Sequence, residues 1–237
     1  MAPDCSETRS VRKIPFPVKT AVLVDGDFFL KRYRVLYKRQ PGYGPQDPKT
    51  VAEALYLLAR NHSRHKFLYR ILYYDCKPYE YGAHNPISMK FMDFKKSDLY
   101  AFRNAFYKEL TKKRKVAVRL GSLAKGDGWL INPDVTKSLL KGETKLEDIK
   151  PEDVYYDLNQ KGVDIKMGLD IAALAYKRLV DQIVLIAGDS DFVPAAKLAR
   201  REGIDVILDP MWNPIQEDLF THIDGLKSWS PKPEGLT

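Results

Sequence analysis

The sequence predicts an α/β protein built on a mainly parallel β-sheet, and three observations predict it. Short apolar, β-branched runs recur at residues 20–24, 67–74, 115–120, 183–187 and 204–208. Continuous runs of that length read as strands covered on both faces, the habit of parallel sheets. Stretches with helical spacing lie between most of them, the alternation expected of βαβ units. Finally, 237 residues with 44% hydrophobic and 30% charged content can bury a core without disulfides or structural metals.

Along the chain, residues 1–18 read as a loose leader. The run at 20–24 stops at Asp25-Gly26-Asp27, and residues 28–38 read as a helix. Pro and Gly at 41–45 mark a loop. Thr50 is a candidate cap for a helix reaching Arg60, with Val51, Leu55 and Leu58 on one face. The second strand ends at Asp75, and an amphipathic helix over 97–112 leads into the third strand. Residues 121–152 mix Gly, Asp, Lys and Pro with few apolar positions, so they read as a surface insertion and a candidate substrate-guiding flap. The pattern resumes at Val154. A helix over 165–180 carries Ile171, Leu174, Ala175 and Leu179; the strand after it runs into Gly188-Asp189-Ser190-Asp191. A helix to Arg201, closed by Gly203, and a strand ending at Asp209-Pro210 complete the pattern. The expected organisation is one domain over 19–222 with a tail at 223–237.

Composition narrows the function. Net charge is +8, divided as +14 over residues 1–120 and −6 over 121–237. A basic half attracts polyanions. No run of 18 apolar residues suits a membrane span, and the first residues lack the apolar core of a secretory signal. Cys5 and Cys76 cannot build a disulfide framework or a Cys-rich zinc site, so a cytoplasmic setting is expected. His62 and His65 lack a third ligand nearby and read as a surface pair; Asp209 reads as a turn residue.

The acids are placed more tellingly. Ligands of open α/β sheets bind beyond the carboxyl ends of the strands. Asp25, Asp75, Asp189 and Asp191 follow strands, and Asp164 stands at the start of a long helix that can face the same edge. Each has a plainer reading: Asp25 and Asp27 as turn residues, Asp164 and Asp191 as helix caps. Crowded carboxylates raise one another's pKa unless a cation neutralises them. An oxygen-only set suits Mg²⁺ or Mn²⁺ rather than zinc. A phosphodiester substrate would match both halves. Lys31, Arg32 and Arg34 beside the first acids, and Lys112, Lys113 and Arg114 further on, are the candidate RNA-binding cations, with Tyr33 and Tyr37 interleaved.

These motifs resemble the NYN domain, a PIN-like nuclease family that includes the LabA-like bacterial proteins. The resemblance rests on Val-Leu-Val-Asp25-Gly-Asp, on Lys161-Gly-Val-Asp164 followed by Asp170, and on Ile-Ala-Gly-Asp189-Ser-Asp191-Phe192. It implies a Rossmann-like three-layer α/β/α sandwich and a metal-dependent ribonuclease. By the resemblance, Asp25, Asp164, Asp189 and Asp191 hold one or two Mg²⁺ or Mn²⁺ ions, with Asp27, Asp75 and Asp170 as second-tier candidates. RNA is the implied partner, with single-stranded DNA and self-association left open. Members commonly carry Asn three residues after the first Asp, where this chain has Phe28. Two alternatives stand beside the nuclease: a catalytically inactive RNA-binding or regulatory module, which Phe28 supports, and a haloacid-dehalogenase-type phosphatase built on Asp25-Gly26-Asp27. Phe29 and Val193 depart from the latter's pattern.

Overall fold

A computed structural model describes residues 17–38 and 47–233. Most of the leader, Cys5, the loop at 41–45 and the last four residues of the tail lie outside the described residues.

The chain opens with β1 (Lys19–Asp25), α1 (Gly26–Tyr37), α2 (Pro48–His62) and β2 (Phe67–Cys76). A small antiparallel pair follows, β3 (Gly82–His84) with β4 (Phe91–Asp93), then α3 (Asp98–Thr111) and β5 (Val116–Ile131). After α4 (Pro133–Leu140) come β6 (Val154–Lys161), α5 (Val163–Tyr176) and β7 (Gln182–Ile186). The remainder is α6 (Val193–Arg201), β8 (Asp205–Asp209), α7 (Glu217–Thr221) and β9 (Gly225–Leu226). Seven strands form one sheet in the order β6-β5-β2-β1-β7-β8-β9. Every pairing in it is parallel except β5 with β6. The α/β class and mainly parallel sheet are as expected.

Strand alternation sorts the core into two layers. On β1, Ala21 and Leu23 join Ile171 and Leu174 of α5 and Ala196 of α6 on one face. Val22 and Val24 join Phe29 of α1, Leu55 of α2 and Phe106 of α3 on the other. Successive strand side chains point to opposite faces, so a doubly covered strand must be apolar throughout. This is the three-layer arrangement of PIN-like folds. Strand order turns at β1: β2 and β5 lie to one side, β7 and β8 to the other. The crevice beyond β1 and β7 is therefore the topological switch point.

Local chemistry moved several boundaries. Helix α1 begins at Gly26, because the Asp25 carboxylate accepts from the N–H groups of Asp27 and Phe28 at 3.1 and 3.2 Å and caps it. Asp47, not Thr50, caps α2; it accepts from both the Thr50 N–H and hydroxyl. Helix α5 starts earlier, at Val163, behind a left-handed Gly162 with φ of 79°. The third strand runs on past Leu120 to Ile131 because β6 pairs with its second half. Much of the segment expected as a surface excursion is thus a two-stranded ribbon carrying α4. Past residue 222, β9 adds an edge to β8.

Two readings are corrected. His62 is buried, not a surface residue, and its Nε2 lies 2.7 Å from Asp209. Asp209 is more than a turn residue: fully buried, it also accepts from the N–H groups of Met211 and Trp229. The partners come from α2, β8 and the tail, 147 residues apart in the first case.

Gly26 is required by space. A Cβ there would press on the Tyr73 hydroxyl and stand 2.6 Å from the Tyr74 carbonyl oxygen. Gly26→Ala should lower stability by about 1–3 kcal/mol, read as a lower urea midpoint at unchanged slope.

Candidate active site

The four acids with the strongest sequence claim reach one rim by three routes. Asp25 ends β1 and is partly covered, its cap bonds drawing the carboxylate over the start of α1. Asp189 follows β7 and caps a single 3₁₀ turn, Ser190–Phe192, by accepting from the Asp191 N–H at 3.1 Å. Asp164 lies in the first turn of α5, opposite the strand ends, because β6 runs back towards the rim before the chain turns at Gly162. Asp164, Asp189 and Asp191 are exposed.

Their electrostatics tie them together. Burial, then the charges of Asp27, Asp75 and Asp164, raise Asp25 to about 6 against the pull of the Phe28 N–H. Asp164 is raised by burial and then by Asp191 and Asp189. These acids therefore sense one another across the crevice between β1 and β7.

The second-tier acids are already partnered by protein groups. Asp27 pairs with Lys31 at 2.7 Å and with Arg103 at 3.4 Å. Asp75 is 3% exposed; it pairs with Arg103 and accepts from the Tyr73 hydroxyl and the Cys76 N–H, each at 2.8 Å. Asp170 accepts from the Tyr74 hydroxyl at 2.8 Å and lies 3.2 Å from Arg119. Burial works most strongly against the Arg103 charge, but Asp75 together with Tyr73 and Tyr107 outweighs it and raises the guanidinium. Arg103 thus clamps β2 to the start of α1. Its sequence signal was slight, one cation among several in the basic stretch before β5.

The candidate RNA-binding cations fall into two groups. Lys31, Arg32 and Arg34 lie on α1, which starts at the rim. Lys31 is exposed beside Asp27, whereas Arg32 donates to the Met211 carbonyl at 2.7 and 3.0 Å, where the backbone φ is 46°. Lys112, Lys113 and Arg114 immediately precede β5, at the amino edge of the sheet and opposite the acids. Lys112 pairs with Glu109 at 2.5 Å, and Lys113 pairs with Glu53. The structure does not bring these two groups together.

Phe28 occupies a telling place. A Cβ on Gly188 would collide with its ring, so the ring lies flush against the backbone that leads into Asp189. The residue that departs from the family pattern is thus part of the wall of the rim.

The donor set suits a hard divalent cation: carboxylate oxygens only, two of them raised by burial and then by their neighbours. Among the described residues, no three His, Cys, Asp or Glu side chains stand grouped as a metal centre. Uncompensated carboxylates repel one another, and a cation would have to draw them inward. Among the same residues, no helix is long and apolar enough to cross a membrane.

No curated protein and no solved structure matches the chain. The family model of the NYN domain matches residues 131–214, from the end of β5 to just beyond β8. That span holds Asp164, Asp189 and Asp191, while Asp25 and the basic half precede it. Over residues 131–214, about a third of its length, the chain is similar to the NYN domain.

Proposed function

We propose that this protein is a Mg²⁺- or Mn²⁺-dependent ribonuclease that works on RNA in the cytoplasm. The observation that carries the reading is the gathering of acids at the switch point of the sheet, where Asp164 bears on Asp25, and Asp189 and Asp191 bear on Asp164. Those four side chains would hold the cation. Bound there, it would favour deprotonation of a water and offset charge on the phosphorus-centred transition state. The chain's own groups do the rest. Lys31 offers an ammonium to the phosphate backbone, and Arg103 neutralises Asp27 and Asp75 beside the rim. Phe28 and Gly188 form a close wall next to the backbone that leads into Asp189.

The test is incubation of the purified protein with labelled single-stranded and structured RNA, with a single-stranded DNA arm. Each metal and EDTA are compared. Strand cleavage with metal, lost in EDTA and in Asp189→Asn, is the expected result. No cleavage above the Asp189→Asn background with either metal would overturn it. Phe28, standing where family members commonly have Asn, favours a second reading: RNA binding without chemistry. That reading expects salt-sensitive binding that survives Asp25→Asn and no strand breakage by either protein.

A further inference from the structure

Beside the acidic rim lies a cavity of about 100 Å³ that none of the preceding roles uses. One water needs only about 10–15 Å³ of such space, so the cavity has room for a ring-sized group. Tyr79, Phe94, Tyr100 and Leu158 form its walls, and Asp75 and Arg103 close one end. The walls come from separate parts of the fold: the segment after β2, the first turn of α3, and the β5–β6 ribbon.

The aromatic wall is braced from behind. Tyr79 meets Phe94 edge-on at 5.6 Å and Tyr156 at 5.9 Å, and Tyr156 in turn meets Trp129 at 5.4 Å. Contacts of this kind hold rings in fixed orientations. The polar end is equally fixed, because Arg103 is bound to Asp75 and Asp27. Through Asp27 this end lies two residues from Asp25. A group seated in the cavity therefore lies close to the acidic rim. Exposed Lys77 and Lys95 flank the walls, directly after Cys76 and Phe94.

We infer that this cavity receives one unstacked base of a single-stranded RNA, next to the phosphodiester presented to the acids. A base has two flat apolar faces for the aromatic wall and a polar edge for the Arg103 end. Its phosphates would run past the lysines and the rim. The inference rests on the nuclease reading for its choice of RNA, and it adds a requirement: the substrate must offer an unpaired base beside the cut.

The experiment separates the two. Binding of short labelled single-stranded RNAs is measured in EDTA by fluorescence anisotropy, with one abasic position moved along the strand. Wild-type protein should lose about tenfold in affinity at one abasic position, the usual worth of a stacked base. Gln160→Trp, which fills the mouth of the cavity from an exposed position on β6, should bind intact RNA about tenfold more weakly and show no further loss at that position. Tyr100→Leu should reduce the abasic effect. With Mn²⁺ added, the sensitive position should fall within a nucleotide or two of the cut. Equal affinity at every abasic position, or an unchanged abasic effect in Gln160→Trp, overturns the inference and leaves the nuclease reading standing. An abasic effect in EDTA without cleavage in Mn²⁺ supports the base site and removes the nuclease reading.

Discussion

Asp25→Asn should cut RNA cleavage by about 100-fold or more and, at the same time, make the protein more stable near neutral pH. The first effect follows from the proposed ligand role, since removing one charged ligand forfeits several kcal/mol of transition-state stabilisation at ~1.4 kcal/mol per tenfold. The second follows from burial. The folded carboxyl holds its proton up to about pH 6, whereas its ordinary value is 3.8. The native state is thus the better proton binder in between. The stability that comes with the neutral form is fully present below 3.8 and is lost as pH rises through about 6. At one pKa unit per 1.36 kcal/mol, the loss is about 3 kcal/mol. Asparagine keeps a cap oxygen for the Asp27 and Phe28 N–H groups and carries no charge to lose. In EDTA, the melting temperature of the variant should exceed that of wild type at about pH 8 and converge with it towards about pH 4. A difference that does not change with pH would contradict burial as the cause. Mn²⁺ should raise the melting temperature of wild type more than that of the variant.

Arg103→Ala carries the largest expected loss of stability, about 3–5 kcal/mol. The substitution leaves Asp75, 3% exposed, with the Tyr73 hydroxyl and the Cys76 N–H but no cation. It also frees Asp27 on the α1 side. Urea unfolding should show a clearly lower midpoint, and Arg103→Lys should fall between the two because it keeps the charge without the planar fork. Pairing Arg103→Leu with Asp75→Asn should recover much of the loss, since removing both charges is far cheaper than stranding one. If Arg103→Ala unfolds at the wild-type midpoint, Asp75 does not depend on that guanidinium.

The elements that could be read from sequence are those whose environment is uniform. β1, β7 and β8 are covered on both faces, so the residues themselves must be apolar, and their ends could be placed within a residue or two. β6 could not be read in the same way. It lies at the edge and carries Tyr155, Asn159, Gln160 and Lys161 exposed, so nothing in its composition separates it from a loop. The acids at the strand ends were legible because topology alone decides where a parallel strand terminates. Their partners were not. Asp75 with Arg103 spans 28 residues, His62 with Asp209 spans 147, and no spacing rule connects them. The separation of Lys112–Arg114 from the rim was within reach, since residues that precede a parallel strand sit at the opposite edge.

The central position of β1, between β2 and β7, carries a consequence for the order in which this molecule comes into being. During synthesis β1 can pair with β2 early, but its other edge waits for β7, about 160 residues later in sequence. Until then Asp25 has neither Asp164 nor Asp189 opposite it. A growing chain on the ribosome is therefore a basic segment without its acidic counterpart. Only when the strand that leads into Asp189 has docked does the crevice exist, so the acidic rim is completed late and all at once.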